Sequence, residues 1–198
     1  MNYRAKPLIF TLFTVLTASI LQGCTAVAVG TAATGATAAH DRRTIGTFVE
    51  DQDIFIHAIR LKNADKDLQK RSNIGIDVYN LQVVMTGQAE DADLVARYRE
   101  KISKIPRVTK VYDEVNIGAE STWGDEAQDT YLTSKVKLAL FDIGIKGFDP
   151  TRVKVTSSLG SVYLMGILTQ NEADAVTEKV RFVSGVKRVV RLFEYIQH

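Results

Sequence analysis

The side chains able to act as nucleophiles, metal ligands or proton carriers are few in this chain. Its three histidines, His40, His57 and His198, are scattered, none beside a nucleophile and none at a spacing that holds a metal. Gly160 and Gly166 are accounted for by turn and strand-end geometry rather than by a phosphate-cradling loop. The pattern reads as a non-enzyme, with no cofactor and no metal site. The chemistry that remains is at Cys24, the single cysteine of 198 residues, an odd thiol with no disulfide partner in the chain.

What precedes Cys24 gives it a use. Arg4 and Lys6 form a basic start, and Leu8 to Leu21 is a 14-residue run without a charge. That is the length of a signal peptide and short of the ~20 residues of a spanning helix. The run ends Leu21, Gln22, Gly23, Cys24, which resembles the bacterial lipobox. The resemblance implies that residues 1–23 are a signal peptide, and that Cys24 is diacylated, becomes the new N-terminus and is acylated again, with palmitate among its chains. Two or more acyl chains anchor stably, at ~0.8 kcal/mol per buried CH2. Thr25, where an inner-membrane retention signal has aspartate, implies the periplasmic face of the outer membrane.

Both excess positive charges belong to the leader. Of 25 basic residues, 23 remain without Arg4 and Lys6, against 23 acidic ones, and this neutrality argues against nucleic acid as a partner. From Thr25 to about His40 the chain is almost all Ala, Thr, Gly and Val, with nothing to build a core. Cys24 and this tether are assigned to residues 24–45, and 16 flexible residues span ~20 to 25 Å.

An internal repeat then sets the architecture. Ile74, Ile76, Val78, Leu81, Val83, Met85 and Gly87 recur, 79 residues on, as Val153, Val155, Ser157, Gly160, Val162, Leu164 and Gly166. Two alternating segments about a polar turn predict a hairpin with one buried face, ending at each glycine. Helices are predicted over Ala92 to Ile102 (Leu94, Tyr98, Ile102 inward) and Glu172 to Phe182 (Ala173, Val176, Val180 inward). A third strand is read at Ile105 to Val111 and Val183 to Val189, offset by 78. Helix-like segments, Asp53 to Leu61 and Thr130 to Phe141, precede each hairpin. The fold class is therefore α+β: two αββαβ domains over 46–117 and 130–198, each a three-stranded sheet packed on two helices, with a linker at 118–129.

The segments GSVYLMG (Gly160 to Gly166), EADAVTEKV (Glu172 to Val180) and SGVKRV (Ser184 to Val189) resemble the BON domain. The first copy is diverged, with Leu81 at the turn glycine and Arg107 at the later one. A lipobox, a tether and two such domains make the layout of the dual-BON outer-membrane lipoproteins. That resemblance implies support of envelope integrity, with the second domain on an anionic phospholipid such as phosphatidylglycerol. A second reading is a protein-interaction scaffold for an outer-membrane assembly partner.

The residues bear on lipid contact directly. With Leu132, Val136, Ala139 and Leu140 inward, Tyr131, Lys135 and Leu138 share another face of the same helix. Residues 130–198 hold 10 basic and 6 acidic side chains, whereas 41–117 hold 13 of each. Tyr131, Lys135, Leu138, Trp123, Lys187 and Arg188 are the candidate lipid-binding set, Lys137 adding charge. Trp123 equally suits core or interdomain packing, and a solvated face is the plain alternative for the stripe. Oligomeric state is left open by the sequence.

Overall fold

The computed structural model describes residues 41–118 and 123–197. Cys24 and the stretch read as tether lie outside the described residues as far as His40; its last residues, 41–45, are described, and Ile45 already belongs to a helix. In the first domain, helix α1 (Ile45–Ala64) starts at Thr44, whose hydroxyl accepts the Thr47 amide, and buries Asp51, Ile54 and Ala58. A short helix α2 (Lys66–Arg71), capped by Asp65, leads into β1 (Ser72–Tyr79). Strand β2 (Gln82–Ala89), helix α3 (Ala92–Ser103) and strand β3 (Lys110–Ile117) complete it.

The second domain repeats this order with helix α4 (Trp123–Leu140), a 3-10 turn at Pro150–Arg152, β4 (Lys154–Ser158), β5 (Ser161–Leu168), helix α5 (Gln170–Arg181) and β6 (Arg188–Tyr195). In each domain the hairpin is antiparallel and the third strand lies parallel to the second, giving the orders β1-β2-β3 and β4-β5-β6. The fold is thus the α+β tandem of αββαβ units, with α2 an addition to the first.

Several boundaries differ from the sequence reading, each for a physical reason. The third strands begin at Lys110 and Arg188, later than Ile105 and Val183, because the apolar residues Ile105, Val108, Val183 and Val186 sit in turns that fold back onto the core. Amides of Val108 and Val186 bond the carbonyls three residues before them, which a strand would not do. Gly87 and Gly166 lie inside strands, not at their ends. A side chain at Gly87 would run into the Asn73 carbonyl, at 2.0 Å, so that glycine admits the neighbouring strand. Helix α1 begins at Ile45, well before Asp53, and α4 begins at Trp123, inside the stretch read as linker. The residue missing from the second copy falls in the turn before α5, since the helix caps Asp91 and Thr169 already stand 78 apart.

Each hairpin turns on two left-handed residues, Asn80 (φ 49°) with Leu81 (φ 65°), and Leu159 (φ 53°) with Gly160 (φ 81°). Positive φ at both central residues is the type I′ arrangement that suits strand twist. The amides of each turn are held by an aspartate of the preceding helix. Asp51 accepts Asn80 and Leu81 at 2.8 and 2.7 Å, and Asp129 accepts Leu159 and Gly160 at 2.7 and 3.2 Å.

The two sheets meet through the faces that do not carry helices. Along β2, Val83 and Met85 point into the first core while Val84 points to the second domain; along β5, Val162 and Leu164 point inward while Tyr163 and Met165 point back. Tyr79, Val84, Tyr163, Met165 and Leu192 form this buried joint. Around it Asp77 holds Lys154 (2.8 Å) and Thr156 (2.6 Å), Glu114 holds Arg188 (2.8 Å), and Glu194 accepts Asn80 and Gln82, both at 2.8 Å.

Candidate functional site

Helix α4 places the stripe. Leu132, Val136 and Leu140 are buried against the second sheet, and the 3.6-residue period turns Tyr131 and Leu138 outward, 66% and 70% exposed. The Lys135 ammonium is fixed between them: it donates to the Ser184 carbonyl at 2.6 Å and stands 5.4 Å from the Tyr131 ring centre. The three residues read as one face are therefore brought together.

The other members of the set are placed differently. Lys187 is exposed, and its stem crosses Gly160, where a Cβ would come within 2.9 Å. Arg188 is committed elsewhere, to Glu114, to the Tyr163 hydroxyl at 3.2 Å and to Ser161, so its guanidinium serves the joint between domains. The backbone of Trp123 opens α4, but its side chain lies outside the described residues.

Two aromatic rings that sequence reasoning left at helix ends enlarge the site. Phe141 follows α4 and Phe182 follows α5, 67% and 71% exposed. A bridge from Lys179 to Asp142 at 3.3 Å brings those helix ends side by side. The Arg181 guanidinium lies 4.7 Å from the Phe182 ring centre. Phe141 continues the Tyr131 and Leu138 spacing, which was a readable signal; Phe182 is joined to them only by tertiary packing. The surface is thus four bulky apolar side chains with lysine and arginine beside them, a combination suited to an apolar layer under a negative one.

A second constellation lies just ahead of α1. Arg42 forms a fork with Glu172, at 2.6 and 2.9 Å, and donates to the Ile167 carbonyl at 2.9 Å. Glu172 also completes a capping box with Thr169 at the start of α5. Burial alone would raise the Glu172 carboxyl, but the bonds from Arg42 and Thr169 outweigh it and hold it below its ordinary value. Arg43 reaches the first domain, pairing with Asp51 at 2.7 Å and lying 4.0 Å from the Tyr79 ring centre. Burial pushes the Tyr79 hydroxyl up to about 12, so it stays protonated. Adjacent arginines thus fasten the residues just ahead of α1 to both domains. Among the described residues no helix is long and apolar enough to cross a membrane.

Two helix-backed, three-stranded sheets joined back to back, with an apolar and cationic outer face, define a tandem α+β fold. The chain belongs to the BON domain family, whose model matches residues 60–119 and 128–197. It is 31% identical to the outer membrane lipoprotein DolP of Haemophilus influenzae over 89% of this chain and 90% of that protein. It is 29% identical to a 21 kDa hemolysin of Actinobacillus pleuropneumoniae over 79% of this chain and 80% of that one. Among solved structures, the C-terminal domain of CdsD, a structural protein of the type III secretion system of Chlamydia trachomatis, aligns at a TM-score of 0.28 and 13% identity, over 74% of this chain and 67% of that one.

Proposed function

We propose that this protein is an outer-membrane lipoprotein of the periplasmic face, anchored by acylated Cys24, whose second BON domain docks on anionic phospholipid and so supports envelope integrity. The observation that carries the reading is the outer face of α4 and the adjoining end of α5. There Tyr131, Leu138, Phe141 and Phe182 stand two-thirds or more exposed, with Lys135 and Arg181 against the rings. Isolated exposed apolar side chains are ordinary; four on one domain, two of them with a cation against the ring, make a docking surface. Each cation near an anionic surface contributes ~1 kcal/mol, so the contact is weak and reversible. The anchor makes weak contact sufficient by keeping the domain at high local concentration.

Flotation tests this. Residues 41–198, which carry both cores complete and lack Cys24, are mixed with vesicles of neutral lipid alone or with phosphatidylglycerol. Binding is expected only with phosphatidylglycerol, and is expected to weaken as salt rises. Leu138→Glu combined with Phe182→Glu is expected to abolish it with the melting temperature unchanged. Absence of binding to either vesicle, or binding indifferent to that pair, rejects the reading and favours an envelope protein, such as an outer-membrane assembly partner, as the ligand of this domain.

A further inference from the structure

Helix α1 is apolar on two opposite sides. Ile54 and Ala58 face the core, while Ile45, Phe48, Val49, Phe55 and Ile56 are exposed along the far side, with half-buried Ile59 extending the line. A helix apolar all round is ordinarily covered on both sides. The family match begins only at residue 60, so this stripe lies outside it.

The stripe is self-matching. Counted from Gln52, its apolar residues fall three positions away on either side (Val49 and Phe55), then four (Phe48 and Ile56), then seven (Ile45 and Ile59). Laid antiparallel on a second copy, with the twofold axis at Gln52, it sets Phe48 beside Phe55 along one edge and Val49 beside Ile56 along the other, aromatic on aromatic and β-branched on β-branched. Ile45 meets Ile59, and the two Gln52 amides meet with a donor and an acceptor each. The five exposed residues present about 450–500 Å² per copy, so a pair covers about 900–1,000 Å² from the stripe alone, close to the ~1,000 Å² of a specific interface.

Charge agrees with that occupant. The stripe is flanked by one charge of each sign, Asp53 and Arg60, and Glu50 is paired with Arg107 at 2.6 Å, so it lacks the cationic setting of the α4 face. In an antiparallel pair the two chains enter their α1 helices about one helix length apart, ~30 Å for twenty residues. We propose that the outer face of α1 is a homodimer interface whose partner is a second copy of this chain.

The full lipidated chain, in its own membrane, carries the test. Gln52→Cys is treated with a short bifunctional thiol crosslinker, with Glu100→Cys on α3 as the control. A crosslinked dimer is expected from Gln52→Cys and not from the control. Adding Phe55→Glu is expected to reduce it at least tenfold with thermal unfolding unchanged, since Phe55 lies outside the core. High salt is expected to spare the dimer while it releases the second domain from anionic vesicles, so the two readings fail separately. No dimer from Gln52→Cys, equal dimer from Glu100→Cys, or capture of a different protein at residue 52 overturns the proposal.

Discussion

Single residues decide how each hairpin is closed. Asp51 is buried, accepts two turn amides and pairs with Arg43, so Asp51→Ala strands two amides and removes one of the two carboxylates, with Asp41, that hold that guanidinium. Its cost is expected to be about 3–5 kcal/mol by chemical denaturation, against about 1–2 kcal/mol for Asp129→Ala, where solvent reaches the half-buried site. Left-handed backbone is the other residue-scale demand. Leu81 and Arg107 adopt φ of 65° and 71° at the two places where the second copy has Gly160 and Gly185. The departures that mark the first copy as diverged are thus replacements at strained positions, not changes of turn. Arg107 is largely exposed and its bridge to Glu50 contributes little, so Arg107→Gly is expected to raise the melting temperature by a few degrees. Leu81 packs on the core, and Leu81→Gly is expected to lower it despite the easier backbone.

Elements were legible where the apolar spacing alone picks out the core-facing side. The hairpins and the cores of α3, α4 and α5 follow from spacing, and Leu94, Tyr98, Ile102, Leu132 and Val136 all lie where period predicts. The third strands were not legible. Strand β3 reads KVYDEVNI, with acids at its centre, because Glu114 serves the neighbouring domain, and the more apolar turn before it drew the assignment. The strap of Arg42 and Arg43 was invisible for another reason: its partner Glu172 lies 130 residues away and looks like an ordinary first-turn acid. Arg42→Ala removes the nearer of the two cations on that buried carboxylate, leaving Arg152 at 3.6 Å, and is expected to cost about 1–2 kcal/mol at neutral pH. The sign with pH is fixed by the lowered Glu172 pKa. The bond's contribution is whole above the ordinary glutamate range and is lost as pH falls through the lower folded-state value. The gap between wild type and Arg42→Ala is therefore expected to close in acid, as melting temperatures across that range would record.

At the scale of the whole molecule, the joint between sheets determines whether two small domains behave as one. A domain of about 70 residues has little core, and here each sheet buries a second face on its neighbour. The signal was present in the sequence as uninterrupted apolar runs, Val83 to Met85 and Val162 to Met165. Strict alternation predicts polar residues at Val84 and Tyr163, whereas continuous runs belong to strands buried on both faces. Because Val84, Tyr163 and Met165 are as buried as the residues of either core, losing the joint exposes apolar surface on both sheets at once. The wild-type residues 41–198 are accordingly expected to unfold in one calorimetric transition whose van't Hoff and calorimetric enthalpies agree. Val84→Asp sets an unpaired carboxylate against Tyr163 and Met165 without entering either helix-backed core. It is expected to split the melt into two transitions, each domain unfolding separately. A single transition merely shifted down would mean that the domains remain coupled without this apolar contact, through the bridges of Asp77, Glu114 and Glu194 alone.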